Sequence, residues 1–568
     1  MHFFLTLDKN GSVGFSPFRE GNDQNSSVVS YLSVPLSCAT IQAVQGQLCR
    51  RGPFDFWFKG SKRKDTKLEI LKILKVFGWN ESDLTWKECS PAPVIDQGPP
   101  EEQNNEVEKA FNQLTRGRQL STGDLRGLAR ELKIKEDDIK RLAQANVEKG
   151  RAKWVPAVSP IGKGWRCQRC GERDVEEWPS QYEMAATCRS CESIGASTSL
   201  DALYRDEHSL LGGPSEVIFR PHWVLTDAQH LASEQVFEFI KDPCEETALL
   251  WAACGAGKTE VCFPSAAWAL KQGKSILFAA PRQDVINDIA PRLHRDFPDY
   301  PFQVLSGTSS AKFQGGGMVL ATTHQVLRFW RAFDVIFMDE MDAFPYSGSR
   351  ALEWGLNHAL RQGGKILYLT ATPSSEGLKA VRQGKMRLIR LPARHHRTSL
   401  PVPIWVKSRI TIDPNGCTSE WASQSILLRA QGPVLVFVPK IAWIDPWIKC
   451  FRQCFPGWQV DGSYSADPGR SSKIERLRQG EFDIFVSTTI LERGITLSRI
   501  QVVVLGADHP VFDERALVQM AGRVGRTIES PVGSVLFMSK RMTKAMKTAV
   551  QWIEEQNKCA LELGLIEA

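Results

Sequence analysis

The 568-residue sequence predicts an α/β architecture of two parallel-sheet lobes, preceded by a small cysteine-rich ribbon and a helical N-terminal region. Three observations carry that expectation. First, beyond residue 217 apolar runs of strand length alternate with helical patterns, at 248–253, 275–280, 318–321, 335–338 and 366–369, and again at 434–438, 482–487 and 502–505. Such runs, apolar on both faces, mark strands of a parallel sheet covered by helices. Second, a proline-rich stretch over 391–404, holding Ala393-Arg394-His395-His396-Arg397, divides the series in two. Third, two Cys-x-x-Cys pairs stand just before the first lobe.

Composition sets the outer bounds. Lys and Arg number 71 against 64 Asp and Glu, a net charge of +7, and 42% of residues are hydrophobic. At roughly 100–200 residues per domain, the length predicts three or more units with cores of their own, which excludes a disulfide-stapled miniprotein and a wholly disordered chain. The uncharged stretch 26–49 is broken by polar residues and Pro35, so no transmembrane segment is expected. The N-terminus lacks a basic start, a long apolar stretch and a small-residue cleavage site, so a cytoplasmic, reducing location is expected. In that setting the 14 cysteines read as thiols or metal ligands. The small excess of positive charge fits a polyanionic partner.

Residues 1–90 carry no motif, and the basic cluster at 59–67 reads as a solvated face. The span 91–105, rich in proline, acids and amides, reads as a linker. Over 106–158 the apolar positions Val107, Ala110, Phe111 and Leu114, then Leu125, Leu128, Ala129 and Leu132, then Ile139, Leu142 and Ala143 recur at helical spacing. Ser121, Thr122 or Asp124 would cap the second helix, and Asp137 or Asp138 the third. Helix packing is the default reading there, with DNA-groove contact the alternative.

Within 160–205, Cys167 and Cys170 are separated by 17 residues from Cys188 and Cys191. That spacing lets two tight turns aim four thiolates at one Zn2+ ion in a closed tetrahedron, a structural rather than catalytic site. Arg166, Arg169, Arg173 and Arg189 surround the ligands, leaving open whether the ribbon holds nucleic acid or only stabilises the fold.

The first lobe, 215–393, contains a phosphate site. The apolar run 249–253 leads into Cys254-Gly255-Ala256-Gly257-Lys258-Thr259 and then a helical stretch. The glycines let successive N–H groups curl around phosphate oxygens, Lys258 neutralises the β- and γ-phosphates of ATP, and Thr259 holds Mg2+. Ala252 stands where the general pattern has its first glycine. Eighty residues on, 335–338 runs into Asp339-Glu340-Met341-Asp342, placing Asp339 at the magnesium and Glu340 at the attacking water.

In that order the segments resemble superfamily 2 helicases with a DEAD-type box, which implies two RecA-like lobes. Thr226-Asp227-Ala228-Gln229 resembles the Q motif, implying Gln229 at the adenine edge. Ala280-Pro281-Arg282 and Thr322-Thr323-His324-Gln325 resemble the first lobe's nucleic-acid motifs, implying DNA contacts through Arg282, Thr322 and Thr323. Thr370-Ala371-Thr372 resembles the coupling motif, whose hydroxyls link hydrolysis to lobe movement. In the second lobe, 400–568, the segment 487–496 resembles motif V, implying contacts by Thr488 and Arg493, and Gln519-Met520-Ala521-Gly522-Arg523-Val524-Gly525-Arg526 resembles motif VI. Arg523 and Arg526 are then the arginine fingers that reach the phosphates only when the lobes close.

A four-cysteine ribbon directly before such a motor, with the Leu391-to-Pro403 segment between its lobes, resembles the ComFA late-competence family of Gram-positive bacteria. The resemblance implies an ATP-driven translocase on single-stranded DNA at the inner face of the membrane, with ComFC, DprA and the DNA-import channel as partners. A PriA-like restart helicase, an RNA remodeller and a nucleic-acid-binding scaffold are the competing readings. His395 and His396 read as hinge or core positions, and Cys254 as a small loop residue.

Overall fold

The computed structural model describes residues 2–8, 12–18, 28–50, 62–88, 101–162, 164–180, 183–207, 216–307, 309, 312–314, 316–408, 428–429, 431–491 and 497–567. Among them the N-terminal region is a four-stranded antiparallel sheet in the order Val13–Ser16, Phe4–Asp8, Val28–Leu32, Trp86–Glu88, with helices Cys38–Arg50 and Lys62–Val76. Its apolar face does not close on itself. Phe3, Leu5, Ile70 and Leu74 share one core with Phe111, Leu125, Leu128, Trp154 and Tyr204, so the sheet and the helical segment after it fold together.

The expected linker is shorter than 91–105, because helix Glu101–Thr115 starts directly after Pro99-Pro100. Acids that resemble linker composition also suit the first turn of a helix, whose N–H groups face them. The helix Thr122–Glu131 is capped by Ser121, which exchanges hydrogen bonds with Asp124 in a capping box. The next helix, Glu136–Glu148, begins two or three residues sooner than an Asp137 or Asp138 cap requires; Lys135 precedes it without a side-chain cap, and the two aspartates lie in its first turn.

Strands Ala152–Pro156 and Ala202–Asp206 pair antiparallel, and the cysteine ribbon is the excursion between them. The ribbon consists of two hairpins, Val158–Ile161 with Gly164–Cys167 and Val175–Pro179 with Met184–Cys188. It rests on the first lobe: Arg166 stacks 4.1 Å from the ring of Trp354, and the four cysteines share a core with Phe329, Phe333, Tyr346 and Leu352. Gly171 is what allows the approach. Its φ is +76°, and a Cβ there would lie 2.3 Å from the Trp354 ring. The helical segment docks alongside through buried polar pairs, Arg118 Nη2 to Gln303 Oε1 at 2.7 Å and Gln119 Nε2 to the Leu327 carbonyl at 2.9 Å.

The first lobe is a seven-stranded, wholly parallel sheet in the order Phe302–Leu305, Met318–Thr322, Ile276–Ala280, Phe333–Asp339, Leu360–Thr370, Thr247–Ala252, Arg387–Leu391. The second is a six-stranded parallel sheet in the order Ile404–Lys407, Val535–Ser539, Gln501–Leu505, Val434–Phe437, Ile484–Ser487, Val460–Ser463. In such sheets ligands bind beyond the carboxyl ends of the strands. Three adjacent strands of the first lobe end level with one another: Trp251 pairs with Thr370, and Asp339 with Leu369. The glycine loop, the Thr370–Thr372 turn and the acidic box therefore emerge side by side.

Candidate nucleotide site and cysteine centre

The glycine loop leaves the strand Thr247–Ala252 with Gly255 at φ +81° and Gly257 at φ +79°, a conformation in which side chains are strained. A Cβ on Gly257 would also meet Gln229 Nε2 at 2.5 Å. Lys258 Nζ forms an ion pair with Asp339 Oδ1, and Thr259 Oγ1 donates to Asp339 Oδ2 at 3.3 Å. Burial alone would lower the Lys258 pKa, but the carboxylates of Asp339, Glu340 and Asp342 outweigh it and raise it. The ammonium is thus held as a cation where phosphate charge would lie. Glu340 stands at φ +52°, in the left-handed region, with its N–H donating to Asp339 Oδ1 at 2.8 Å. A non-glycine residue held there stores strain, a frequent feature of active sites.

The second lobe supplies the opposite wall. Helix Glu514–Ala521 ends at Gly522, and the turn after it carries Arg523 and Arg526. Both arginines line the same cleft as Gln229, Gly255, Gly257, Lys258, Thr259, Asp339 and Glu340, a space of about 1060 Å³. Arg523 is 2% exposed. Burial lowers the Arg526 pKa, opposed by Cys254 and Glu340, and its Nε donates to the Gly522 carbonyl at 2.7 Å. The glycine loop and the two arginines therefore line opposite walls of one cleft. Its donors suit a magnesium nucleotide: N–H groups of an open glycine loop, one lysine, one hydroxyl beside a carboxylate, and two guanidiniums.

The expected coupling hydroxyls have a specific target. Thr370 Oγ1 donates to Asp342 Oδ1 at 2.5 Å and Thr372 Oγ1 to Asp342 Oδ2 at 2.6 Å. Gln519 Nε2 of the second lobe then donates to Thr372 Oγ1 at 3.3 Å, so acidic box, coupling turn and motif VI are joined in one chain. Asp342 had no assigned role in the sequence; the signal was its place at the end of the acidic box.

Other expected residues lie differently. The Gln229 amide is committed within the protein, donating to the Ala256 carbonyl at 2.9 Å and accepting from Thr226 N at 3.0 Å, so in this conformation it braces the glycine loop. Thr322 and Thr323 are 7% and 1% exposed, and neither side chain offers a surface to DNA here. Arg282 is partly exposed and pairs with Asp284 at 3.2 Å. Thr488 follows strand Ile484–Ser487 with a half-buried side chain, and Arg493 lies outside the described residues. His396 donates from Nε2 to the Gly525 carbonyl at 2.8 Å, which makes it part of the interlobe packing.

The four ribbon cysteines are buried, and their sulfurs all lie within 4.8 Å of one another. Sγ separations of 3.7 Å for Cys167–Cys191 and 3.6 Å for Cys170–Cys188 match a tetrahedron built on Zn–S bonds of about 2.3 Å, whose edge is about 3.8 Å. The donor set fits zinc, four thiolates closing the tetrahedron with no open position, as in structural sites. Of the surrounding arginines, Arg166 and Arg169 are held within the fold, while Arg173 and Arg189 are exposed. Arg169 is 2% exposed and donates to the Ile194 and Gly195 carbonyls, Arg189 lies 3.8 Å from Asp174 and 3.6 Å from Glu176, and Arg166 covers Trp354.

Two parallel-sheet lobes of this kind, with the glycine loop on one and paired arginines on the other, define a superfamily 2 helicase. The family model described as "Helicase conserved C-terminal domain" matches residues 420–527, and that of the "Type III restriction enzyme, res subunit" matches 222–375. Competence protein ComFA of Bacillus subtilis is 32% identical over 477 residues, covering 82% of this chain and 98% of that protein. ComFA of Streptococcus pneumoniae is 31% identical over 442 residues, covering 76% of this chain and 100% of that protein. The chain belongs to the ComFA family of competence proteins. Among solved structures, the helicase Lhr of Mycobacterium smegmatis bound to ssDNA and AMP-PNP matches with a TM-score of 0.44 and 16% identity, over 58% of this chain and 50% of that one.

Proposed function

We propose that this protein is an ATP-dependent translocase on single-stranded DNA that drives the uptake of transforming DNA. The observation that carries the reading is the shared cleft: Lys258, Asp339 and Glu340 on one sheet, Arg523 and Arg526 on the other. Lys258 and Thr259 would hold the β- and γ-phosphates and Mg2+ with Asp339, Glu340 would orient the attacking water, and the arginines would meet charge on the transferring phosphoryl group. Because the parts belong to two lobes, turnover is tied to their relative movement, and lobe movement on a DNA strand is translocation.

Family membership supports the competence role, with ComFC, DprA and a membrane channel as partners. No helix among the described residues is long and apolar enough to cross a membrane, so association with the inner face of the membrane would be peripheral. The test is ATP turnover with and without single-stranded DNA, set against an RNA of the same sequence. Stimulation by DNA is the expected result. Turnover indifferent to either strand would refute the motor, and equal stimulation by RNA would refute the choice of substrate.

A further inference from the structure

The segment between the lobes is more than a tether. Arg394 is wholly buried, and its guanidinium donates to main-chain carbonyls of both lobes: Nε to Cys254 O in the glycine loop at 2.7 Å, Nη1 to Val524 O at 2.6 Å and to Gly525 O, and Nη2 to Gly522 O at 3.1 Å. Four planar donors divided between two lobes is a geometry only arginine can fill. The acceptors on the second lobe cluster at the C-terminal end of helix Glu514–Ala521, where the helix dipole favours a cation. Gly522 O is shared, because Arg526 Nε donates to it at 2.7 Å.

Packing at this point leaves little slack. A Cβ on Gly522 would lie 2.4 Å from Cys254 Cβ, and a Cβ on Gly525 would lie 2.4 Å from Pro531 O and 3.1 Å from Arg394 Nη1. The turn bearing Arg523 and Arg526 therefore sits directly on the glycine loop, with the Arg394 guanidinium as the polar link between them.

We propose that Arg394 is a positioning residue for ATP hydrolysis, which ties the motif VI turn to the glycine loop and so sets the reach of Arg526 into the phosphate site. The proposal rests on the ATPase reading above. A residue that only stabilises the fold would affect melting, nucleotide binding and turnover together. One that acts through Arg526 affects turnover selectively, and its effect disappears when Arg526 is gone.

The experiment is a double-mutant cycle of Arg394→Lys and Arg526→Ala in the full chain, with ssDNA-stimulated ATPase as the main readout, alongside thermal melting, binding of a fluorescent ADP and ssDNA anisotropy. Lysine keeps the charge but loses the planar fork. Arg394→Lys is expected to lower kcat on the order of 100-fold, as when a catalytic group shifts by about 1 Å. KM for ATP, ADP binding and DNA binding should stay within about threefold. In the Arg526→Ala background the same change should cost less than about threefold. Equal costs in both backgrounds, or a loss confined to KM, would overturn the proposal. If Arg394→Lys does not melt cooperatively, Arg394→Gln takes its place under the same criteria, and failure of both to fold would assign Arg394 to stability alone and overturn it too. A wild-type protein that hydrolyses no ATP with or without ssDNA would instead defeat the motor reading, whereas an active wild type matched by Arg394→Lys defeats only the role of Arg394.

Discussion

Replacing Thr372 by valine removes one hydroxyl at nearly constant volume, and the structure lets its two consequences be separated. Within the first lobe, Asp342 loses the 2.6 Å bond to Oδ2 and retains Thr370 at 2.5 Å on Oδ1. A buried hydrogen bond to a charged group is worth about 1.5–3 kcal/mol, so the lobe is destabilised by that order and its melting falls by roughly 3–10 °C. Between the lobes, the 3.3 Å bond from Gln519 Nε2 to Thr372 Oγ1 is lost. That bond is neutral and long, worth about 0.5–1.5 kcal/mol, and it exists only while the lobes are closed. Its removal lowers the closed population by roughly 2- to 12-fold, and kcat of ssDNA-stimulated ATPase should fall by the same factor with KM for ATP unchanged. Gln519→Leu removes the interlobe bond together with the 3.6 Å contact from Cys254 Sγ to Gln519 Oε1: at least the same loss in kcat, with little loss in melting temperature. Steady-state ATPase and calorimetry on the two variants decide the matter. Wild-type turnover in both, or an effect of Thr372→Val confined to KM, would refute the coupling through the Gln519–Thr372 bond.

Lys258→Ala should lower ATP turnover by at least about 100-fold while zinc content stays unchanged, as read by a phosphate-release assay and metal analysis. Cys167→Ala should lose the single bound zinc and melt at lower temperature, and an unchanged one-ion content would show the ligand set to be wrong. Gly171→Ala should destabilise the chain by about 2–4 kcal/mol, because the new Cβ meets Trp354 at 2.3 Å and the φ of +76° adds strain; a melting curve identical to wild type would contradict the docked ribbon. Stability should also decline on acidification. Burial lowers the His396 pKa, opposed by its bond to Gly525, so below about pH 6.5 the unfolded chain takes up a proton that the folded one resists. Chemical denaturation from pH 7 to 5 should show that loss partly relieved in His396→Gln.

The sequence made visible what is written in short, contiguous patterns. The glycine loop, the acidic box, the two cysteine pairs and motif VI each need neighbouring residues at fixed spacing, and eight strands stood out as apolar runs. Strands with a mixed composition did not. Val460–Ser463 is half polar, and Phe302–Leu305 contains Gln303, which is buried because Arg118 donates to it from a distant segment. Arg387–Leu391 carries two arginines, and one of them, Arg390, lies 4.7 Å from the Trp251 ring, so a charged residue serves as packing. The same cause hid Arg394. Its acceptors are 128 to 140 residues away, and no periodicity or spacing near Arg394 marks it as a residue shared by two lobes. The role of the ribbon arginines stayed open, because charge in a sequence does not reveal whether a guanidinium faces solvent, a carbonyl or a tryptophan ring.

The C-terminal helix limits how the lobes can move. Helix Lys544–Glu562 follows the last central strand of the second sheet and also reaches the first lobe and the interlobe segment: Trp552 stands 6.2 Å from Trp251, Arg390 Nη2 is 2.7 Å from Glu555 Oε1, and Asn557 Oδ1 accepts from Leu400 N at 2.7 Å. Met546, Ile553 and Ala560 share one core with Leu250, Leu391 and Leu400. Pulling the lobes fully apart would expose this apolar seam at about 25 cal/mol per Å², while the hydrogen bonds that cross at the nucleotide cleft, from Arg394 and Gln519, can be exchanged for water or phosphate. On the translocase reading, the expected opening is a pivot about the C-terminal helix and the 392–400 segment. Such a pivot parts Gly522 from Cys254 and Gln519 from Thr372 while keeping the seam intact. The N-terminal region and ribbon dock on the first lobe through Arg118, Gln119 and Trp354, so on the translocase reading the second sheet, with Arg523 and Arg526, is the part expected to move.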